Sequence, residues 1–142
     1  MVQSQPRQPW QNRNQKEKME LKYFKLSEFD CKSEPGSHTK MNADFLKQID
    51  QAREYSNTPY KITSGYRSAE HTARLISKGV KTSMTSSHIK GLAVDIAVNG
   101  SQQRMQILRG LLKAGITRIG ISAFFIHADA DPDKAQNVIW TY

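Results

Sequence analysis

Apolar residues recur along the chain with two different spacings, one typical of helices and one typical of strands. The helical spacing predicts three helices, over 42–55, 69–77 and 101–114. Asn42 is expected to cap the first helix and Ser101 the third, which stops at Gly115. The side chains expected to face inward from the third helix are Met105, Leu108, Leu111 and Leu112.

Alternation with a period of two, together with short apolar runs, predicts the strands. They lie over 60–63, 92–98, 116–121, 124–128 and 138–142. In the second of them, Asp95 shares a face with Ala93 and Ala97, opposite the larger apolar residues. Because no regular helix separates the last three strands, the pattern predicts an α+β fold. We expect a single domain with a small, mostly antiparallel sheet flanked by helices.

Length and composition predict the domain organisation. The chain has 142 residues, 37% of them hydrophobic, which suits one domain with a modest core. Residues 1–18 are rich in Gln, Asn, Pro and charge, so we expect a flexible basic tail there and a folded domain over 19–142. No apolar run reaches the roughly 20 residues of a membrane span. The first ten residues also lack the apolar stretch of a secretory signal.

The net charge of +8 favours anionic partners, which include nucleic acid, acidic lipid and anionic cell-wall polymers. The sequence has no groove-reading motif and no interleaving of aromatic with basic residues, so we do not expect a nucleic-acid partner. Cys31 is the only cysteine, which excludes an internal disulfide. The fold must therefore depend on its core or on a metal.

Three residues form a candidate metal site: His88 at the end of a polar loop, and Asp95 and His127 inside predicted strands. A carboxylate in a strand of Leu, Val, Ile and Ala is costly unless something pairs with it. Zinc accepts imidazole nitrogen and carboxylate oxygen, and a catalytic site uses three protein ligands plus one open position. The alternative is that all three are ordinary core or surface residues with satisfied hydrogen bonds.

Three segments in this order resemble a known family. They are Ser64-Gly65-Tyr66-Arg67-Ser68, the run SSHIKGLAVDI over 86–96, and Phe125-Ile126-His127-Ala128-Asp129. The sequence resembles the zinc D-Ala-D-Ala carboxypeptidase and phage endolysin family, metallopeptidase family fifteen. The resemblance covers roughly residues 21–142, and the middle motif is its most specific part.

The resemblance implies that His88, Asp95 and His127 are the ligands of one zinc ion on the sheet. It also implies that Arg67 faces the substrate, where it holds a carboxylate or polarises the scissile carbonyl, and that Ser86 braces the site. A guanidinium suits either task because its planar fork matches carboxylates and oxyanions. The alternative for Arg67 is a surface position after a turn.

The catalytic base is left open by the sequence. Many relatives have a His two residues, or an acid three residues, before the last ligand, but here Phe125 and Phe124 stand there. Asp129 is the nearest candidate base, on the strand face of His127, and Asp131 is the second. Asp129 could instead orient a ligand His. Of the aromatic residues, Trp140 is expected in the core.

The resemblance implies a zinc peptidase that hydrolyses peptidoglycan stem peptides, as a D,D-carboxypeptidase or as an endopeptidase, and we expect it to be a monomer. Without a secretory signal, we expect a phage-encoded enzyme that acts on the cell wall from the host cytoplasm or from the virion. The alternative is a zinc-binding wall-binding module of the same fold without catalysis. The missing His or acid before His127 keeps that alternative open.

Overall fold

The computed structural model describes residues 19–142, so the predicted tail over 1–18 lies outside the described residues. Two short 3-10 turns precede the regular elements, at Leu26–Phe29 and Ser37–Lys40. The helices are α1 (Ala43–Ser56), α2 (Ala69–Ser77) and α3 (Gly100–Lys113). The strands are β1 (Ile62–Ser64), β2 (Ala93–Ala97), β3 (Arg118–Ile121), β4 (Phe125–Asp129) and β5 (Val138–Thr141).

The five strands form one sheet in the order β1-β2-β4-β3-β5. All neighbours are antiparallel except β3 and β5, which are parallel. This confirms the predicted α+β fold with a mostly antiparallel sheet. Both edges of β4 are occupied, by β2 and β3, so β5 pairs with the free edge of β3. The pair is parallel because β3 and β5 both run opposite to β4. The alternation of residues within a strand carries no information about that choice.

The alternation along β2 and β4 separates the core from the opposite face of the sheet. Val94 and Ile96 on β2, and Ile126 and Ala128 on β4, are fully buried in the hydrophobic core. The residues between them, including Asp95 and His127, therefore face the other side. The helices α1 and α3 pack against each other and add these fully buried side chains to the core: Ile49, Ala52, Ile107 and Leu111.

The helix α1 begins as the sequence predicts, because the Asn42 side chain accepts a hydrogen bond from the backbone N–H of Phe45 at 2.9 Å. The helix α3 differs from its prediction. It begins at Gly100 rather than after Ser101, and the side chain of Gln103 accepts from the Asn99 N–H at 2.7 Å. The expected start was wrong because Ser101 lies inside the first turn, and the Gln103 side chain bonds the N–H of Asn99, the residue that precedes the helix.

The buried face of α3 also differs from the prediction. Ile107 and Leu111 are buried, whereas Met105 and Leu112 are 54% and 56% exposed. Apolar side chains lie on more than one face of this helix, so the spacing of its apolar residues did not specify which face packs against α1. Gly110 decides it, since its missing side chain lets the two helices approach closely.

We expect Gly110→Ala to lower the free energy of unfolding by about 1–3 kcal/mol. A Cβ at this position would overlap the Ser56 side chain and the carbonyl oxygen of Ala52, and the backbone oxygen has little freedom to move. Chemical denaturation of both proteins measures the difference. Arg109→Ala, at the exposed neighbouring position, is the matched control. Equal stability of the two variants would show that the helices do not need this close approach.

None of the three helices in the described part of the chain has the length and apolar content that crossing a bilayer requires.

Candidate metal centre

One row of residues crosses the sheet on the face away from the core. Ser64 pairs with Asp95, Asp95 with His127, His127 with Gly120, and Gly120 with Trp140. Directly paired residues on one face are neighbours across a sheet. The register therefore places a carboxylate and an imidazole side by side at the middle of the sheet.

His88 reaches this row from the polar loop that precedes β2. Its Nδ1 lies 2.9 Å from the carbonyl oxygen of Gly65, which can only accept, so Nδ1 carries the proton. The other ring nitrogen, Nε2, lies 3.4 Å from Oδ1 of Asp95. The loop turns sharply at Gly91, whose φ is +71° and where a Cβ would overlap the carbonyl oxygen of Lys40. This close approach holds His88 over the sheet.

His127 faces the same carboxylate oxygen from the other side. Its Nδ1 lies 3.0 Å from Oδ1 of Asp95, and its Nε2 lies 2.7 Å from Oδ2 of Asp129. With Nε2 donating to Asp129, the lone pair on Nδ1 points toward Asp95. Ligand atoms of His88, Asp95 and His127 all lie within 4.8 Å of one another. Two imidazole lone pairs and a carboxylate oxygen repel one another unless a proton or a metal ion lies between them, and imidazole nitrogen with carboxylate oxygen is a donor set that fits zinc.

Electrostatics at the cluster favour that cation. Burial opposes the charged form of Asp95, but hydrogen bonds with His127 and His88 outweigh it and hold the pKa of Asp95 below its ordinary value. Burial also opposes charge on His127, yet hydrogen bonds with Asp129 and Asp95 raise its pKa. Asp95 is therefore ionised at neutral pH, and a metal ion would compete with a proton for His127.

Asp129 is enclosed rather than open to the cleft, with its side chain 1% exposed. Its carboxylate lies 2.7 Å from Nε2 of His127, and it accepts from Nε of Arg118 at 2.7 Å and from the backbone N–H of Asp131 at 3.1 Å. Burial raises its pKa, but these partners outweigh it and the pKa of Asp129 is lowered. A carboxylate held this way can select the tautomer of His127 and orient its ring.

Asp131 lies farther from the cluster and ties two loops together. Its buried carboxylate accepts from the Ser87 hydroxyl at 2.7 Å, from Lys90 at 3.1 Å and from the backbone N–H of Asp133 at 3.1 Å. Ser87 precedes His88, so this carboxylate anchors the loop that carries His88. Among the described residues, its polar contacts include none of the three cluster side chains.

We expect Asp131 to make the free energy of unfolding depend on pH in the acidic range. Burial raises its pKa, but the hydrogen bonds with Ser87, Asp133 and Lys90 outweigh it and lower the pKa to about 2. Because the pKa of Asp131 is lower in the folded protein than in the unfolded chain, its ionised carboxylate stabilises the fold at pH values above the ordinary pKa of an aspartate. This contribution is lost as pH falls from about 4 to about 2. At neutral pH we expect Asp131→Asn to cost on the order of 2 kcal/mol.

Denaturant unfolding at pH 7 and at about pH 2.5 measures this loss. The difference between wild type and Asp131→Asn should shrink toward the lower pH, while metal release affects both proteins alike and cancels. Asp133→Asn is the matched control, because that carboxylate also contacts Lys90 but is 77% exposed. A difference that is the same at both pH values would contradict the assignment.

Arg67 lies at the margin of the cluster, held by two hydroxyls. Its guanidinium donates to Oγ1 of Thr82 at 3.1 Å and to Oγ of Ser64 at 3.0 Å, and that Ser64 oxygen lies 3.5 Å from Nδ1 of His88. Ser86 accepts from the backbone N–H of His88 at 3.2 Å. The structure thus brings both residues to the cluster, and their roles stay predictions.

Trp140 lies beside the cluster rather than in the core, contrary to expectation. Its ring centroid is 5.5 Å from that of His127 and 5.0 Å from the guanidinium carbon of Arg118. Gly120 makes room, because a Cβ there would lie 2.6 Å from the indole nitrogen. Sequence reasoning missed Gly120 and Arg118. A glycine inside a strand was the available signal, since it often marks close approach of another group.

Comparison with known proteins identifies the family of the chain. The Peptidase M15 family model matches residues 22–129, which is most of the chain and contains the whole cluster. The chain therefore belongs to the Peptidase M15 family. Among solved structures it is similar to the L-Ala D-Glu endopeptidase ChiX of Serratia marcescens, with 24% sequence identity and a TM-score of 0.44. That similarity covers 55% of this chain and 67% of the other. No curated protein matches the chain.

Proposed function

We propose that this chain is a zinc peptidase that hydrolyses peptide bonds in peptidoglycan stem peptides. The observation that carries the proposal is the convergence of two imidazole nitrogens on one carboxylate oxygen, with the outer nitrogen of each ring already bonded to Gly65 or Asp129. The cluster thus offers three protein ligands, which is the number found at catalytic zinc sites, whereas structural zinc sites have four. Membership of a peptidase family supports hydrolysis of a peptide bond.

His88, Asp95 and His127 would hold the ion. When bound, zinc would polarise a scissile carbonyl and activate water as a nucleophile at neutral pH. The Gly65 carbonyl and Asp129 keep the two imidazoles in the required tautomers, because each accepts from the nitrogen that does not face the ion. Arg67, held by Ser64 and Thr82, would place its guanidinium on a carboxylate or a developing oxyanion of the substrate.

The contacts of the two candidate bases favour the orienting role for Asp129. Asp129 and Asp131 each have three hydrogen-bond partners, so neither carboxylate has much remaining capacity to take a proton from water. The same observation favours a second candidate function, a zinc-binding wall module without catalysis. Phe124 and Phe125, which stand where relatives carry a His or an acid, cannot move a proton.

Mass spectrometry of purified muropeptides after incubation with the zinc-loaded protein distinguishes these functions. Release of the terminal D-Ala would identify a carboxypeptidase, and a cut within the stem would identify an endopeptidase. His127→Ala is the control for a contaminating activity. Intact muropeptides that nevertheless bind the protein would contradict the peptidase and support the wall module.

The same proposal includes the setting of the reaction. We infer a phage-encoded enzyme that reaches the wall from the host cytoplasm or from the virion. The net charge of +8 supports contact with an anionic wall polymer, since opposite charge steers association over distances near the Debye length. Binding to purified wall should therefore weaken as salt is raised, and binding that is insensitive to salt would contradict this role of the charge.

A further inference from the structure

Aromatic side chains extend from the metal centre along the same face of the sheet. Phe125 lies two residues before His127 on β4, and Tyr142 lies two residues after Trp140 at the end of β5. The backbone N–H of Tyr142 donates to the carbonyl oxygen of Ile121 at 3.1 Å, so the strand pairing continues to this residue. Alternation therefore puts Phe125, Trp140 and Tyr142 on the face of the metal centre, and we name these three residues the aromatic platform.

The rings of the aromatic platform lie side by side. The ring centroids of Phe125 and Tyr142 are 5.1 Å apart, and those of Trp140 and His127 are 5.5 Å apart. Both Trp140 and Tyr142 cover Gly120, because a Cβ there would lie 2.6 Å from the indole nitrogen and 2.9 Å from a ring carbon of Tyr142. The missing side chain thus lets the rings form one surface that begins at a ligand of the metal centre.

The aromatic platform is open to solvent and surrounded by uncharged sequence. Tyr142 is 70% exposed, and Phe125 and Trp140 are partly exposed. The segments 119–126 and 135–142, which supply the platform, contain no charged residue. The indole N–H and the phenol hydroxyl place polar groups at the edges of the rings. Large exposed apolar side chains with a few polar groups are typical of a ligand site, and here the ligand should be uncharged where it touches the rings.

The chemistry of peptidoglycan selects the component that fits such a surface. The side chains of a stem peptide are small, acidic or basic, and none of them has a broad apolar face. A pyranose ring has C–H groups on its faces and hydroxyl or acetamido groups around its rim. It can therefore lie flat on aromatic rings and use its rim for hydrogen bonds.

We propose that the aromatic platform binds the amino-sugar ring to which the stem peptide is attached, so that the enzyme prefers glycan-linked stems to free peptides. Two residues of a strand span about 7 Å, so a sugar on Phe125 and Tyr142 would lie close to a bond held at the metal centre. The proposal rests on the proposed peptidase function. Phe125 and Tyr142 are then specificity-determining residues that contact the substrate away from the reacting atoms.

A pair of synthetic substrates tests the platform. One is a stem peptide whose N-terminus is linked to N-acetylmuramic acid, and the other is the same peptide with an N-terminal acetyl group, so that the two carry equal charge. We expect the wild type to cleave the sugar-linked substrate about tenfold better in kcat/KM, the upper end of what one well-placed ring contact contributes. Tyr142→Ala should bring this ratio close to one, whereas Tyr142→Phe keeps the ring and should keep most of the preference.

Phe124→Ala is the matched control, because it removes a ring that is 79% exposed but lies on the opposite face of the sheet from Phe125. It should leave the ratio unchanged. Equal cleavage of the two substrates by the wild type would overturn the aromatic platform and leave the peptidase function intact. The platform is also overturned if Phe124→Ala and Tyr142→Ala lower the ratio equally, since any exposed ring would then have the same effect.

Calorimetric binding of the same two substrates separates the platform from the chemistry. If the wild type cleaves neither substrate, the proposed peptidase function fails. Tighter binding of the sugar-linked substrate, lost in Tyr142→Ala and kept in Phe124→Ala, would still support the platform. Equal binding of the two substrates would overturn it.

Discussion

Replacing His127 by alanine should remove nearly all of the bound metal, with zinc falling from about one ion per chain to a small fraction. The loss follows from geometry, because Nδ1 of His127 and Nε2 of His88 face one oxygen of Asp95 and no other imidazole of the described chain reaches it. Two remaining ligands hold zinc far more weakly than three. The affinity should fall by more than the roughly 100-fold typical of losing a partner outside the ligand set.

Elemental analysis of untagged protein, followed by equilibrium dialysis against zinc, measures the loss. His88→Ala should behave in the same way. His71→Ala is the matched control, since that histidine lies outside the cluster and its loss should leave the metal content unchanged. Full metal retention by both His88→Ala and His127→Ala would show that the cluster is not the metal centre.

Asp129→Asn should weaken zinc binding by roughly 10- to 100-fold and leave turnover close to wild type once zinc is saturating. The carboxylate receives Arg118 on one oxygen and His127 on the other. An amide has only one acceptor oxygen, so either the buried guanidinium or the imidazole loses its partner. The imidazole of His127 would then be free to adopt the wrong tautomer or to turn away from the cluster.

The pattern of losses distinguishes the two roles of Asp129. If Asp129 were the general base, turnover would instead fall by about 10²- to 10⁴-fold at full zinc occupancy. Asp133→Asn removes a nearby exposed carboxylate and serves as the control for charge alone. Unchanged zinc affinity together with a large loss of turnover would contradict the orienting role that the contacts support.

Local pattern was enough to predict most secondary structure and to suggest the residues of the cluster, which the family resemblance then implied as a ligand set. Period-two alternation places Asp95 on the face of its strand opposite Ile96, and His127 on the face of its strand opposite Ile126. The reason is that successive side chains in a strand point to opposite sides. The carboxylate in an otherwise apolar strand signalled a partner, since an unpaired buried charge is costly. The α+β class followed from strands that succeed one another without intervening helices.

Contacts between distant segments decided the rest. The parallel pairing of β5 depends on which sheet edge is free, and the buried face of α3 depends on where Gly110 meets α1. The sequence did not decide whether Asp129 is the catalytic base or a residue that orients a ligand histidine. Only the positions of Arg118 and His127 show that its carboxylate is enclosed by donors. Spacing along a chain specifies which way a side chain points, but its partners come from segments that meet only when the chain folds.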